Sequence, residues 1–153
     1  MKITHIAVLA VASLSASVAY AQAKPEDQIK YRQSAMTINA RSNGALNAMA
    51  KGDVPFNKEV AQRYATVIAE LSDLPLLAGA YGPGTDRGAL TKADPKVWSE
   101  PEKFKAAFDR FTVAAKALPA AAGDLATLKP ALVELGKTCK GCHDNYRMND
   151  YRM

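Results

Sequence analysis

The sequence predicts an all-α fold, a four-helix bundle, on three observations. Apolar residues recur at gaps of three and four in four separate segments. No segment sustains the apolar–polar alternation of a strand. Prolines and glycines fall between the periodic segments, most densely in one long stretch after the second. The chain has 153 residues, enough for one domain, and 48% of them are hydrophobic, enough for a real core. There is no internal repeat and no sign of a second domain.

Residues 1–21 read as an address rather than as part of that bundle. Met1 and Lys2 give a positive start, and an apolar run from Ile6 to Ala12 follows, softened by Ser13, Ser15 and Ser17. Ala19-Tyr20-Ala21 is a small-x-small cleavage signature, with Ala21-Gln22-Ala23 a second choice. These are the three parts of a secretory signal peptide. The run is too short and too serine-broken for a membrane anchor, and no later run is long and apolar enough to span a bilayer. Residues 22–153 are then the bundle domain, exported from the cytoplasm.

The first helix opens at Pro25-Glu26-Asp27, since proline suits a first turn and acids suit the positive helix end. It carries Ile29, Met36, Ile38, Leu46 and Met49, and stops near Lys51-Gly52. The second starts after Pro55 with Val60, Tyr64, Val67, Leu71 and Leu74 as its predicted core stripe, and Pro75 ends it. A loop rich in Gly and Pro runs to Trp98. Ser99 is the expected N-cap of the third helix, with Glu102 in capping-box position. Its stripe is Phe104, Phe108, Phe111, Ala115 and Leu118, and Pro119 is its expected end. The fourth follows Gly123-Asp124 with Leu128, Leu132, Leu135, Cys139, Cys142, His143 and Tyr146; Pro130 predicts an irregular first turn.

Charge and inventory narrow the function. Lys and Arg number 20 against 15 Asp and Glu, a mild excess with no dense basic run, so nucleic acid is not the expected partner. Two cysteines cannot make a disulfide scaffold. They stand in Cys139-Lys140-Gly141-Cys142-His143, which is C-x-x-C-H, the attachment motif of c-type haem. On a helix, positions i, i+3 and i+4 share one face. Both thiols can meet the two vinyl groups on one porphyrin edge, and the next imidazole can reach the iron. A thioredoxin-like C-x-x-C belongs to a βαβ pattern that is absent here. A structural zinc wants four ligands, and a Cys139–Cys142 disulfide would staple a single turn.

The motif's position adds to its chemistry. It lies on the last helix, with Asp144-Asn145-Tyr146-Arg147 after it. Lys24-Pro25-Glu26-Asp27 and Tyr31-Arg32-Gln33-Ser34 mark the first helix, Tyr81-Gly82-Pro83-Gly84-Thr85 the loop, and Val97-Trp98-Ser99 the entry to the third helix. Taken together, these segments resemble the cytochrome c′ family, the class II c-type cytochromes, over nearly the whole exported chain. The resemblance implies a left-handed antiparallel bundle with one haem c per chain, held covalently through Cys139 and Cys142. It implies His143 as the proximal iron ligand with Arg147 beside it, and Arg32 and Gln33 near the haem propionates. It implies that Met36 faces the distal side of the iron, either as an axial ligand or only as a wall of the pocket; the residue's identity leaves both open. It also implies a bacterial periplasmic protein, often a homodimer packed through its first helix. The loop from Gly84 to Trp98 is longer than the family pattern, and no haem contact is assigned to it.

Two functions from different classes follow. One is an electron carrier cycling Fe(II)/Fe(III) with periplasmic redox partners, its weak positive balance suiting an acidic one. The other is a five-coordinate protein that captures NO or CO at the distal haem face. An enzyme such as a peroxidase is not expected, because past the leader His143 is the one histidine and leaves none to act as a distal acid–base.

Overall fold

The computed structural model describes residues 24–152, so the expected leader and its expected cleavage site lie outside the described residues. Helix α1 spans Pro25–Lys51, with Pro25 at its first turn and Glu26 and Asp27 beside it. Gly52 closes it at φ 85°, a left-handed conformation open to glycine, and its N–H returns to Ala48 and Met49. Helix α2 spans Lys58–Leu71 and is capped by Asn57, whose side chain accepts from the Val60 N–H at 2.9 Å. A single turn, α3, covers Leu74–Leu77. Strand β1 (Thr91–Ala93) and the short helix α4 (Lys96–Ser99) lead into α5, Pro101–Ala121. Helix α6 spans Leu125–Tyr146, capped by Asp124 through the Thr127 N–H, and β2 follows at Arg147–Arg152.

The long helices form a four-helix bundle. Helix α5 packs on α2 and α6, and α1 packs on α2. Of the neighbouring pairs, α1 and α6 touch least, and that gap holds the site described below. The core is Phe104, Phe108, Phe111, Ala115 and Leu118 from α5, Leu128, Leu132 and Leu135 from α6, and Leu46 and Met49 from α1. The predicted stripe of the third helix is thus the buried one. Burying each large side chain stabilises the fold by about 1.5–3 kcal/mol before entropy is counted.

Several details depart from the sequence reading. The core face of α2 is Ala61, Ala65, Ile68 and Ala69; Val60, Tyr64 and Val67 are 38%, 37% and 36% exposed. Both rows have helical period, one residue apart. The alanine row wins because small side chains let α2 approach its neighbours closely. Ser99 does not cap α5: Pro101 takes the first helical position, which makes Glu100 the cap, and no side-chain cap bond forms. Pro119 does not stop α5, which runs two residues further. Its Ala121 carbonyl is met by the Thr127 hydroxyl at 2.8 Å. Helix α6 runs unbroken through Pro130.

The largest difference is a two-stranded antiparallel ribbon in a chain predicted all-helical. Strand β1 pairs with β2, Thr91 opposite Arg152 and Ala93 opposite Arg147, with a bulge between. Such pairing joins positions far apart in sequence and leaves no local periodicity to read. It fastens the long loop to the end of α6. The Asp94 N–H adds to this by donating to the Tyr146 carbonyl at 2.9 Å. The loop's other margin is fastened to α1 by Gln28, Arg32 and Gln33. The loop therefore bridges α1 and α6 across the gap between them.

Candidate functional site

Cys139, Cys142 and His143 lie on the last two turns of α6, where the leucine row leaves the core and becomes half-buried. Both cysteines are free thiols, and both pack against the edge of the core. On the opposite side of that helix, Lys140 pairs with Asp144 in solvent. One face of α6 is thus given to water and the other to a cavity.

That cavity has a volume of about 510 Å³, within the range of sites that hold cofactor-sized ligands. Cys142, His143 and Tyr146 line it from α6, and Arg32, Gln33 and Met36 from α1. Phe104 and Phe108 of α5 form its floor, and Tyr81, Thr91, Lys92, Ala93 and Val97 of the loop close one side. Phe104 packs edge-on to Tyr146 at 5.2 Å and lies 4.9 Å from Tyr81, centroid to centroid. Of the haem-site residues read from the sequence, all but Cys139 line this one cavity, and Cys139 lies one turn before Cys142 on α6.

The electrostatics follow from burial. Burial raises the Cys139 thiol pKa, and Cys142 is pushed up to about 11, first by burial and then by Cys139. Both are protonated at neutral pH, unlike the thiolates that ligate metal ions directly. His143 is shifted down, first by burial and then by Arg147, with Asp144 opposing. Its imidazole is neutral and keeps a lone pair free to coordinate.

Arg32 is 3% exposed. Its Nη1 donates to the Ala80 carbonyl at 2.7 Å and to the Thr85 carbonyl at 2.9 Å, and its Nη2 to the Thr91 hydroxyl at 3.0 Å. The guanidinium lies over Tyr81 at 5.2 Å and Trp98 at 5.5 Å. Burial lowers its pKa, but arginine remains charged. Gln33 donates to the Leu90 carbonyl at 2.8 Å. Both residues thus organise the loop as well as lining the cavity. A spacing of four residues from His143 predicts Arg147 one turn on along the same helical face. It is not there, because α6 ends at Tyr146 and pairing with Ala93 draws Arg147 into extended backbone (φ −126°, ψ 123°). It still reaches the cavity wall from β2.

The sequence reading missed Tyr81, Thr91, Lys92, Val97 and Tyr151 as cavity residues. Tyr81 stood in a recognised segment, Tyr81 to Thr85, without an assigned role. Val97 likewise stood in the recognised Val97-Trp98-Ser99 segment, while Thr91, Lys92 and Tyr151 depend on the β1–β2 pairing, which gives no local signal.

A helical bundle with a C-x-x-C-H turn on the wall of an apolar cavity defines a c-type haem protein. The donor set fits: two protonated thiols one turn apart, a neutral imidazole next to them, and aromatic and aliphatic walls for a flat ring. The chain belongs to the cytochrome c′ family, whose model matches residues 27–147. It is 48% identical over 126 residues to cytochrome c′ of Rubrivivax gelatinosus, covering 81% of this chain and 96% of that one. The crystal structure of cytochrome c′ from Rubrivivax gelatinosus matches 82% of this chain and 98% of its own at a TM-score of 0.77. A nitric oxide complex of a leucine-to-alanine mutant of cytochrome c prime from Alcaligenes xylosoxidans is 40% identical. That likeness covers 84% of this chain and 98% of that one, with a TM-score of 0.76. The cofactor is haem c, attached covalently as in the rest of the family.

Proposed function

We propose that the protein is a periplasmic mono-haem cytochrome that carries single electrons and takes up NO or CO on the α1 side of its haem. The observation that supports this most is the cavity, with Cys142 and His143 on its α6 wall and Met36 on its α1 wall. Haem c supplies Fe(II)/Fe(III) cycling and a coordination position for a small gas. Cys139 and Cys142 tether the ring through their sulfurs. His143 offers its neutral imidazole from the same face of α6, with Arg147 nearby. Arg32 and Gln33 hold the loop closed and present positive charge and an amide at the cavity edge, suited to propionates. Met36 brings a flexible thioether to the other side, where it crowds or ligates. With His143 so used, residues 22–153 hold no other histidine for acid–base work, which favours a carrier over an enzyme. Export rests on the leader reading of residues 1–21. Among the described residues, no helix is long and apolar enough to cross a membrane.

A second reading, a five-coordinate NO scavenger, is favoured by the nitric oxide complexes solved for the Alcaligenes relative. Optical spectra of the ferric and ferrous protein, with and without CO, test both. Low-spin spectra and slow CO uptake support Met36 ligation and electron carriage; high-spin spectra with ready uptake support gas capture. Met36→Ala should change the spin state or the CO and NO binding rates. If the spectrum and both rates stay as in the wild type, Met36 does not face the iron and the assignment of α1 to the distal side is wrong.

The partner surface follows from what the core leaves exposed. A homodimer through α1 remains the proposal, but Ala35, Leu46 and Met49 are spent in the core. Exposed apolar residues remain at Tyr31 and Ile38 on α1 and at Val60, Tyr64 and Val67 on the adjoining α2. The expected dimer therefore uses both helices. Val67→Glu with Ile38→Glu should convert a micromolar dimer to monomer in sedimentation velocity. A wild type that sediments only as monomer at that concentration would sink the proposal.

A further inference from the structure

We infer that the Tyr81 hydroxyl is the hydrogen-bond donor that meets a small polar ligand held in the haem cavity; this rests on the gas-binding reading above. Tyr81 sits in the loop between α3 and β1, and its ring is fixed on several sides. Phe104 and Phe108 pack on it at 4.9 and 5.8 Å, and the Arg32 guanidinium lies over it at 5.2 Å. A ring held this way has little freedom to swing its hydroxyl elsewhere. Yet that hydroxyl has no hydrogen-bond partner among the described residues, and Tyr81 is part of the cavity wall. It therefore faces an opening.

Tyr81 borders two cavities, and side chains packed on its ring favour the first. Arg32 at 5.2 Å and Phe108 at 5.8 Å are both walls of the haem cavity and neither is a wall of the second, whereas Phe104 lines both. Burial raises the phenol pKa, so it remains a donor at any physiological pH. Two other polar groups on the wall already have partners: one Gln33 N–H donates to Leu90, and the Thr91 oxygen accepts from Arg32 and from the Ala93 N–H. Tyr146 shares the cavity wall from α6, and Tyr151 is 62% exposed.

A fixed donor in an apolar cavity costs nothing to reorganise when a ligand arrives, and its bond is stronger there than in water. It favours a diatomic that accumulates negative charge, such as NO, over the less polar CO. The test is Tyr81→Phe in the haem-loaded protein, which keeps the ring packing and removes only the oxygen. Two readouts are taken: the C–O stretching frequency of the ferrous CO complex and the NO dissociation rate. Loss of the donor should raise the C–O stretch and speed NO release about tenfold, the worth of one net hydrogen bond. If CO and NO bind but neither readout moves, the inference is overturned while gas binding stands. A shift confined to the reduction potential would place the donor on a propionate and also overturn it. If the wild type takes up neither gas, the gas-binding reading falls and this inference falls with it.

Discussion

Cys142→Ser, made in protein exported with its own leader, should yield no stable holoprotein, and Cys139→Ser should do the same. The two thiols stand one turn apart on α6, both half-buried and both protonated. Each can add its S–H across a vinyl group, forming a carbon–sulfur bond with the hydrogen passing to the other vinyl carbon. Serine keeps the size and removes that chemistry, so the helix survives and the tether does not. Without it only non-covalent contacts to His143 and the cavity walls hold the ring, and haem is lost whenever the loop opens. The check is extraction with acidified organic solvent after denaturation. Wild-type haem should stay with the polypeptide, and any haem in the double variant should leave. If wild-type haem is removed completely, Cys139 and Cys142 are not thioether sites. His143→Ala separates the roles: tethered haem should persist with altered axial ligation, or no mature protein should accumulate.

How far the sequence led depended on whether the determining contact was local. The helices of the bundle were legible because capping, proline placement and a three–four apolar rhythm act within one turn. The Phe104, Phe108, Phe111 row had a single apolar face, so its core side was legible too. Helix α2 had two candidate faces, and only the neighbouring helices choose between Val60-Tyr64-Val67 and Ala61-Ala65-Ile68. The C-x-x-C-H turn carries its chemistry in five consecutive residues and needed no fold to be read. Arg147 failed in its conformation because a strand pairing with Ala93 overrides the helix that precedes it. The loop's contribution to the cavity was out of reach for the same reason. Its position is set by bonds from Arg32 to Ala80, Thr85 and Thr91, each about 50 residues or more away.

Those bonds make Arg32 the residue whose loss should most destabilise the closed site. Sequence resemblance assigns it to a propionate; the structure gives it a second task. Its guanidinium donates to two loop carbonyls and a threonine hydroxyl and stacks between Tyr81 and Trp98, all while buried. Truncation leaves those buried acceptors without a donor and opens a void beside two aromatic rings. Arg32→Ala should therefore cost about 3 kcal/mol, the order of one to two charge-assisted bonds lost from a buried site. Arg32→Lys keeps the charge but loses the planar fork, so it should recover only part of the loss. The measurement is denaturant unfolding of the haem-loaded protein, paired with amide hydrogen exchange over residues 80–97. Faster exchange in that loop, with α2 unchanged, is the signature of a broken clasp. A variant within about 0.5 kcal/mol of wild type, the usual range for a surface substitution, would show that the clasp contributes nothing. The reduction potential distinguishes the two tasks. If stability falls and the potential does not move, Arg32 holds the loop and not the propionate; if both change, it does both.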